Sequence, residues 1–206
     1  MGYALQPVTR LSVGGAPPVC QDCVFWQTRS ERSGAKERWA DKVEDEWGAW
    51  GTMYRGENDR LLGFIQYGPS AAFPRAAELP GGPPSADAVL ITCAYLVDPS
   101  SPWVMQSLFL SVIGEARDRK VRAIEAFGYR YPEGTAPPER FLIHRTVFPC
   151  DFLGDFGFAT LHTHGRVELL RLDIRGVIPV EEESMARGLL RRTKELLTPE
   201  PLPERN

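Results

Sequence analysis

The sequence predicts a mixed α/β fold, with a mostly antiparallel central sheet that contains one parallel pair of strands and is flanked by helices.

 Three observations predict it. Residues 88–128 read as a buried strand, a crossover helix and a second strand, residues 49–67 read as a hairpin before this unit, and residues 159–174 read as two further strands after it.

The central unit begins with an unbroken apolar run at residues 88–97, which is rich in β-branched and aromatic residues. Such a run is typical of a strand that is buried on both faces, and it is too short to span a membrane. Apolar residues then recur at every fourth position, at Leu108, Val112 and Ala116. This spacing predicts an amphipathic helix with one face against the sheet.

The unit ends with residues 121–127, in which apolar and polar residues alternate in part, followed by Gly128. A strand, a helix and a strand in succession predict two parallel strands joined by a right-handed crossover. Ligands usually lie at the carboxyl ends of such strands, beside the start of the following helix. We therefore expect the functional site between Tyr95 and Ser107.

The segments before this unit predict a short strand at residues 11–13, a helix and a hairpin. The helix is predicted by three apolar residues at steps of four, Trp39, Val43 and Trp47. We interpret this aromatic stripe as part of the core, because tryptophan is usually buried on packing faces. The hairpin consists of residues 49–54 and 61–67, which flank a polar turn.

Two loops rich in proline interrupt the regular pattern, at residues 69–84 and 129–139. They either form the walls of an acceptor cleft or are tolerated insertions. Residues 148–158 predict a short helix with a proline near its start and a glycine at its end. A last helix is predicted from Glu181, where acidic residues come first and basic residues later, as the helix dipole favours.

Composition limits the classes of function and compartment. The chain has 206 residues and a formal net charge of −3, without a basic cluster, so nucleic acid is not an expected partner. Neither a leader peptide nor a membrane-spanning run is present, and four cysteines are expected to be reduced, so we predict a cytoplasmic protein. We divide it into a lead-in (1–19), a main domain (20–178) and a C-terminal helix with a proline-rich tail (179–206).

The order of elements and several short stretches resemble the GNAT superfamily of acyl-CoA-dependent N-acyltransferases, in particular actinobacterial members. The stretches are Cys20–Trp26, Glu46–Gly51, Gly63–Pro69, Phe73–Ala76, Val121–Gly128 and Asp151–Phe158. The resemblance covers about residues 20 to 175. It implies the GNAT fold, acetyl-CoA as the co-substrate, and an amine of a small molecule or peptide as the acceptor.

In that superfamily, the backbone at the end of the fourth strand holds the pantetheine arm, and a glycine-rich loop holds the pyrophosphate. Here the loop is degenerate, with Pro102 at the basic position and Met105 at a small one. Proline removes a donor, and methionine adds bulk where glycine would let phosphate approach. The cofactor contacts that the resemblance implies are Tyr95, Leu96, Val97, Ser101, Gln106 and Ser107.

Candidates for acid–base chemistry also follow from the resemblance. Many members carry a tyrosine on the short helix, but residues 151–156 contain none. Tyr95, Tyr129 and Tyr131 are possible substitutes, of which we take Tyr95 as the candidate for the general acid. Glu125 and Asp151 are candidates for the general base. Each has a structural alternative, because Tyr95 could be a packing residue, Glu125 an edge charge and Asp151 a helix cap.

A metal site is not predicted. Cys20 and Cys23 have half the spacing of a zinc site, and His162 and His164 would lie on one face of a strand. A single CxxC pair without a second pair is a weak signal, so we expect no metal.

We therefore expect an N-acyltransferase, in which an amine attacks the thioester directly and the amide of Leu96 or Val97 polarises its carbonyl. The alternative is a catalytically inactive GNAT-like protein that binds a ligand or partner, with Trp103 and Met105 occupying the cleft. Neither hypothesis specifies the acceptor, and both leave a homodimer open.

Overall fold

The central feature of the computed structural model is one twisted sheet, in which helices cover both faces. The structure describes residues 3–28, 34–135 and 146–174. Its strands are β1 (Ala4–Pro7), β2 (Gly51–Arg55), β3 (Leu61–Pro69), β4 (Ala88–Leu96), β5 (Ala123–Tyr129), β6 (Phe148–Pro149), β7 (Ala159–His164) and β8 (Val167–Asp173). Their order is β1-β2-β3-β4-β5-β8-β7, and β6 pairs with β5. The pairs β4–β5 and β5–β6 are parallel, and the others are antiparallel.

Four α-helices in the described residues pack against this sheet. They are α1 (Pro18–Gln21), α2 (Ala35–Glu46), α3 (Pro102–Asp118) and α4 (Cys150–Asp155). Trp39 of α2 belongs to the core that contains Phe64 of β3, whereas Tyr67 of β3 donates a hydrogen bond to Glu115 of α3. Because side chains alternate along a strand, Phe64 and Tyr67 point to opposite faces. The helices α2 and α3 therefore cover opposite sides of the sheet.

Most of the predicted elements are confirmed. The hairpin, the strand–helix–strand unit, the helix with its aromatic stripe, the short helix and the two closing strands are all present. Gly157 has a φ of +84° just after α4, a conformation that suits glycine. No helix in the described ranges has the length and apolar character needed to cross a bilayer.

The prediction of a strand at residues 11–13 is wrong. A 3-10 helix covers Val13–Gly15, and the first strand lies earlier, at Ala4–Pro7, where it pairs with β2. Part of the predicted lead-in, residues 4–7, thus forms the edge strand of the sheet. The predicted boundaries after residues 19 and 178 stay a prediction. The C-terminal helix predicted from Glu181 lies outside the described residues.

A buried ion pair ties β5 to β8. Glu125 is fully buried, and its Oε1 lies 3.0 Å from the guanidinium of Arg171. Its other oxygen accepts a hydrogen bond from the amide of Ser85 at 2.8 Å. Arg171 also pairs with Asp87 and Asp173. These contacts join the two strands to the segment that enters β4.

We expect Arg171→Met to lower the free energy of unfolding by about 3–5 kcal/mol, because it leaves the carboxylate of Glu125 buried without its counter-charge. Urea unfolding at neutral pH measures the change. The control is Arg122→Met, which removes an exposed guanidinium 3.3 Å from Asp87 and should cost no more than about 1 kcal/mol. Equal losses in the two variants would contradict the structural role of the pair.

Candidate functional site

The two parallel strands separate at their carboxyl ends. The ladder between β4 and β5 ends at the pair Ile91 and Ala126, although β4 continues to Leu96 and β5 to Tyr129. We call the space between residues 92–96 and 127–129 the β4–β5 gap. It lies at the carboxyl edge of a parallel pair, where the sequence predicted a ligand.

A β-bulge marks the point where the strands separate. Gln66 of β3 pairs with Cys93, but the next residue, Tyr67, pairs with Ile91, so Thr92 is left over on β4. An extra residue bends its strand and increases the local twist. The bulge therefore turns the end of β4 away from β5.

Buried polar side chains hold this bulge in place. Gln66 donates from Nε2 to Oγ1 of Thr92 at 2.9 Å, and Thr92 donates to the backbone carbonyl of Gln66 at 3.2 Å. Gln66 Oε1 in turn accepts hydrogen bonds from Gln27 at 3.0 Å and from Nζ of Lys36 at 2.9 Å. All four residues are buried, so each bond forms where water cannot replace it.

The backbone of β4 offers its edge to the gap. The amide of Val97 donates to the carbonyl of Leu62 at 3.0 Å, so it points toward β3. Successive residues of an antiparallel strand direct their backbone groups to opposite edges, so Leu96 and Ala94 direct theirs toward the gap. Of the two amides predicted to polarise a carbonyl, the one of Leu96 is suitably placed and the one of Val97 is already engaged.

The opposite wall of the gap is formed by β5, β6 and α4. Gly128 pairs with Phe148, and Tyr129 pairs with Pro149, directly before α4. A Cβ at Gly128 would lie 2.8 Å from Sγ of Cys150, so only glycine allows this approach. Asp151, in the first turn of α4, is exposed, and its Oδ1 accepts a hydrogen bond from the amide of Phe152 at 3.0 Å.

Asp98 stabilises the turn that connects β4 to α3. Its Oδ1 accepts hydrogen bonds from the amide and the hydroxyl of Ser100 at 2.9 and 2.6 Å, and its Oδ2 accepts one from the hydroxyl of Ser101 at 3.0 Å. The hydrogen bonds from Ser100 and Ser101 hold the pKa of Asp98 below its usual range. A negative charge thus stands just before α3, near the loop in which the resemblance predicts the pyrophosphate.

The predicted cofactor residues fall into two groups. Tyr95, Leu96, Val97 and Ser101 follow one another along the end of β4 and the connection to α3. Gln106 and Ser107 instead lie inside α3, about 7 Å along the helix from its first residue. The hydroxyl of Ser107 donates to the carbonyl of Trp103 at 2.9 Å, within the same helix. Helix α3 already begins at Pro102, so residues 102–107, which were predicted to form a phosphate-binding loop, are helical.

The predicted catalytic residues also lie in different surroundings. Tyr95 is on β4, partly buried against the core that contains Trp39. Asp151 is exposed at the wall of the gap. Glu125 pairs with Leu90 in the closed part of the ladder, and both of its oxygens are engaged as described above. The catalytic roles of all three stay predictions, and the contacts of Glu125 do not favour its role.

Five residues that shape the candidate site were not identified from the sequence: Gln27, Lys36, Gln66, Thr92 and Asp98. Asp98 had a readable signal, because an aspartate before proline and serines is typical of a side chain that bonds the backbone two residues on. The buried network had none, because its members are far apart in the chain.

Cys20, Cys23 and Cys93 lie near Lys36, whereas His162 and His164 lie elsewhere, on β7. Burial raises the pKa of Cys93 to about 12, so its thiol stays protonated. Within the described ranges, no group of three or more cysteine, histidine or acidic residues could hold a metal ion. His162 and His164 are exposed on the edge strand β7. Cys20 and Cys23 are not joined by a disulfide.

Trp103 does not occupy the gap, which corrects one element of the alternative hypothesis. Its ring makes edge contacts with Tyr3 and Tyr54, with centroid distances of 5.6 and 5.7 Å. Tyr54 belongs to β2, two strands away from β4 and on the far side from β5. Met105 is buried in α3.

Solved structures of acetyltransferases are similar to this chain in overall fold. An N-acetyltransferase from Staphylococcus aureus Mu50 aligns with a TM-score of 0.50 at 10% identity, over 84% of this chain and 99% of that one. A candidate acetyltransferase from Acinetobacter baylyi ADP1 aligns with a TM-score of 0.50 at 12% identity, over 84% and 93%. A candidate acetyltransferase of the GNAT family from Desulfovibrio desulfuricans aligns with a TM-score of 0.47 at 17% identity, over 84% and 99%. No protein-family model and no curated protein matches the sequence.

We expect the Lys36→Met variant to lose stability relative to the unchanged protein as the pH rises through the range just below the ordinary pKa of lysine. Burial lowers the pKa of Lys36 in the folded state, so the unfolded chain binds more protons over this range. The free energy of unfolding of the unchanged protein should therefore rise with pH relative to the variant.

Urea unfolding of both proteins at several pH values measures this difference. The control is Lys42→Met, which removes an exposed lysine from the same helix and should give a difference that does not change with pH. A constant difference for Lys36→Met would show that its amine titrates as it does in the unfolded chain.

Proposed function

We propose that this chain, which has the fold of the GNAT acetyltransferases, is an acyl-CoA-dependent N-acyltransferase that transfers an acetyl group to an amine. The observation that carries the proposal is the β4–β5 gap, with the backbone groups of Leu96 directed into it. The proposal includes a cytoplasmic location and an acceptor that is a small molecule or a peptide.

The gap suits the pantetheine arm of the donor. An unpaired strand edge can bind an extended chain that carries amide groups, much as a further strand would bind. The arm of acetyl-CoA carries two amides, and β4 offers the backbone groups of Ala94 and Leu96 on that edge. The bulge at Thr92 keeps the edge open, because it prevents β5 from pairing with it.

The reaction in this site would be direct transfer. The acceptor nitrogen attacks the thioester carbon, and the oxygen that becomes negative accepts a hydrogen bond from the amide of Leu96. The carbon–sulfur bond then breaks, and the thiolate leaves with a proton. Tyr95 is our candidate for supplying that proton, and Asp151 or water for removing the proton of the amine. The contacts of Glu125 suit a structural role better.

One observation favours the alternative of a GNAT-like binding protein without transfer activity. The carboxylate of Asp98 stands at the start of α3, where it repels the pyrophosphate of coenzyme A. Helix α3 also begins with a proline, which has no N–H to donate. Donor binding would then depend on the pantetheine arm alone, so the affinity for acetyl-CoA decides between the two functions.

Calorimetric titration with acetyl-CoA and with free coenzyme A tests the proposal, and we expect micromolar binding. Leu96→Pro removes the amide directed into the gap but spares the ladder with β3, so acetyl-CoA should bind about tenfold more weakly. The matched control is Leu96→Ala, which shortens the side chain and keeps the N–H.

Two results would count against this function. Absence of binding to the unchanged protein at millimolar acetyl-CoA would favour the binding-protein alternative. Equal affinity in the proline and alanine variants, with both folded by thermal unfolding, would remove the role of the Leu96 amide.

A further inference from the structure

A second cavity lies on the other side of β4, away from the β4–β5 gap. Its volume is about 500 Å³, and it is bounded by the turn between β2 and β3, the end of β4 and the start of α3. We call it the Trp103 cavity. The residues that matter here are Tyr3, Leu62 and Trp103, which are apolar or aromatic, and Glu57, Arg60 and Asp98, which are charged.

The aromatic side chains that line the cavity are exposed, and their rings contact one another and Tyr54. Trp103 is 42% exposed and Tyr3 is 59% exposed, which is unusual for side chains of this size. Tyr3 stacks on Tyr54 with a centroid distance of 5.9 Å and an interplanar angle of 3°, and Trp103 meets both rings at their edges. Exposed faces of aromatic rings attract organic cations.

The charges at this cavity favour the same kind of ligand. Glu57 and Asp98 supply two carboxylates, and Arg60 supplies one positive charge. Arg60 lies close enough to Asp98 to contribute to the low pKa of that carboxyl, after the hydrogen bonds from Ser100 and Ser101. Asp98 is therefore ionised at neutral pH. The net charge of Glu57, Arg60 and Asp98 together is negative.

Three backbone amides around the start of α3 are already engaged, so they do not offset this charge. The amide of Ser100 is bound to the Asp98 carboxylate, and the amide of Ser101 is bound to its carbonyl. Pro102 has no N–H, and the amide of Val104 donates to the carbonyl of Ser101. A helix start that binds an anion needs such amides directed outward.

We propose that the Trp103 cavity binds an organic cation: an ammonium or guanidinium group on an apolar body. The apolar body would lie against Trp103 and Tyr3, and the cationic group would lie near Glu57 and Asp98. This site goes beyond the acyl transfer proposed above: it shares Asp98 with the start of α3, but it lies on the β3 side of β4 and uses no thioester.

Three probes of similar size and different charge test the proposal. They are 2-phenylethylamine, which is a cation at neutral pH, 2-phenylethanol, which is neutral, and 3-phenylpropionate, which is an anion. Calorimetry and ligand-observed NMR should show the amine binding about fivefold more tightly than the alcohol, and the carboxylate binding most weakly. Added salt should reduce the advantage of the amine.

Single substitutions should change the affinity for 2-phenylethylamine in opposite directions. Glu57→Gln should weaken binding about threefold, and Arg60→Gln should tighten it by a similar factor, because one removes an attractive charge and the other a repulsive one. Trp103→Leu should weaken binding about tenfold. The control is Leu110→Ala, which changes an exposed residue on α3 outside the cavity and should have no effect.

Three results would overturn the proposal. They are equal or tighter binding of the anionic probe or of pyrophosphate, shifts of the same sign in Glu57→Gln and Arg60→Gln, and absence of binding by 2-phenylethylamine at millimolar concentration. None of these measurements involves acetyl-CoA. Failure here is therefore distinct from failure of the proposed acyl transfer, which the titrations with acetyl-CoA test separately.

Discussion

The separation of β4 from β5 depends on one extra residue, Thr92, and on the buried hydrogen bonds that hold it. A buried strand would otherwise continue to pair, because unpaired backbone groups in an interior are costly. Gln66 prevents this by bonding the threonine hydroxyl, and Gln27 and Lys36 fix the orientation of Gln66. A partly satisfied network would be worse than an apolar one, so the bulge requires all of these partners.

The two ends of the β4–β5 pair are stabilised in different ways. At the closed end, Glu125 and Arg171 join β5 to β8, and Asp87 extends the contact to the entry of β4. At the open end, β5 keeps its full ladder with β8 and gains the short strand β6. The wall formed by β5 therefore has support on both edges, whereas β4 relies on β3 and its bulge.

The sequence was sufficient for the hairpin, the strand–helix–strand unit and the closing strands, but not for β1 and β6, because hydrophobic periodicity and turn residues are local signals that short strands carry only weakly. It was not sufficient for the bulge, since Thr92 lies in an apolar run and reads as one more core position. The role of Glu125 was also hidden, because its partner Arg171 lies 46 residues away in the chain. The turn at Asp98 could have been predicted from the sequence, since its hydrogen bonds join neighbouring residues. The predicted contacts at Gln106 and Ser107 assumed a loop where the helix has already begun.

The alternation of backbone groups along the end of β4 has a consequence for local dynamics. Amides that bond β3, such as that of Val97, are protected by the ladder, whereas those of Ala94 and Leu96 face the gap. Hydrogen exchange should thus alternate between slow and fast along a single strand, with no change in secondary structure. A molecule that lies along this edge would slow only the fast set, so the pattern of protection would record its path residue by residue.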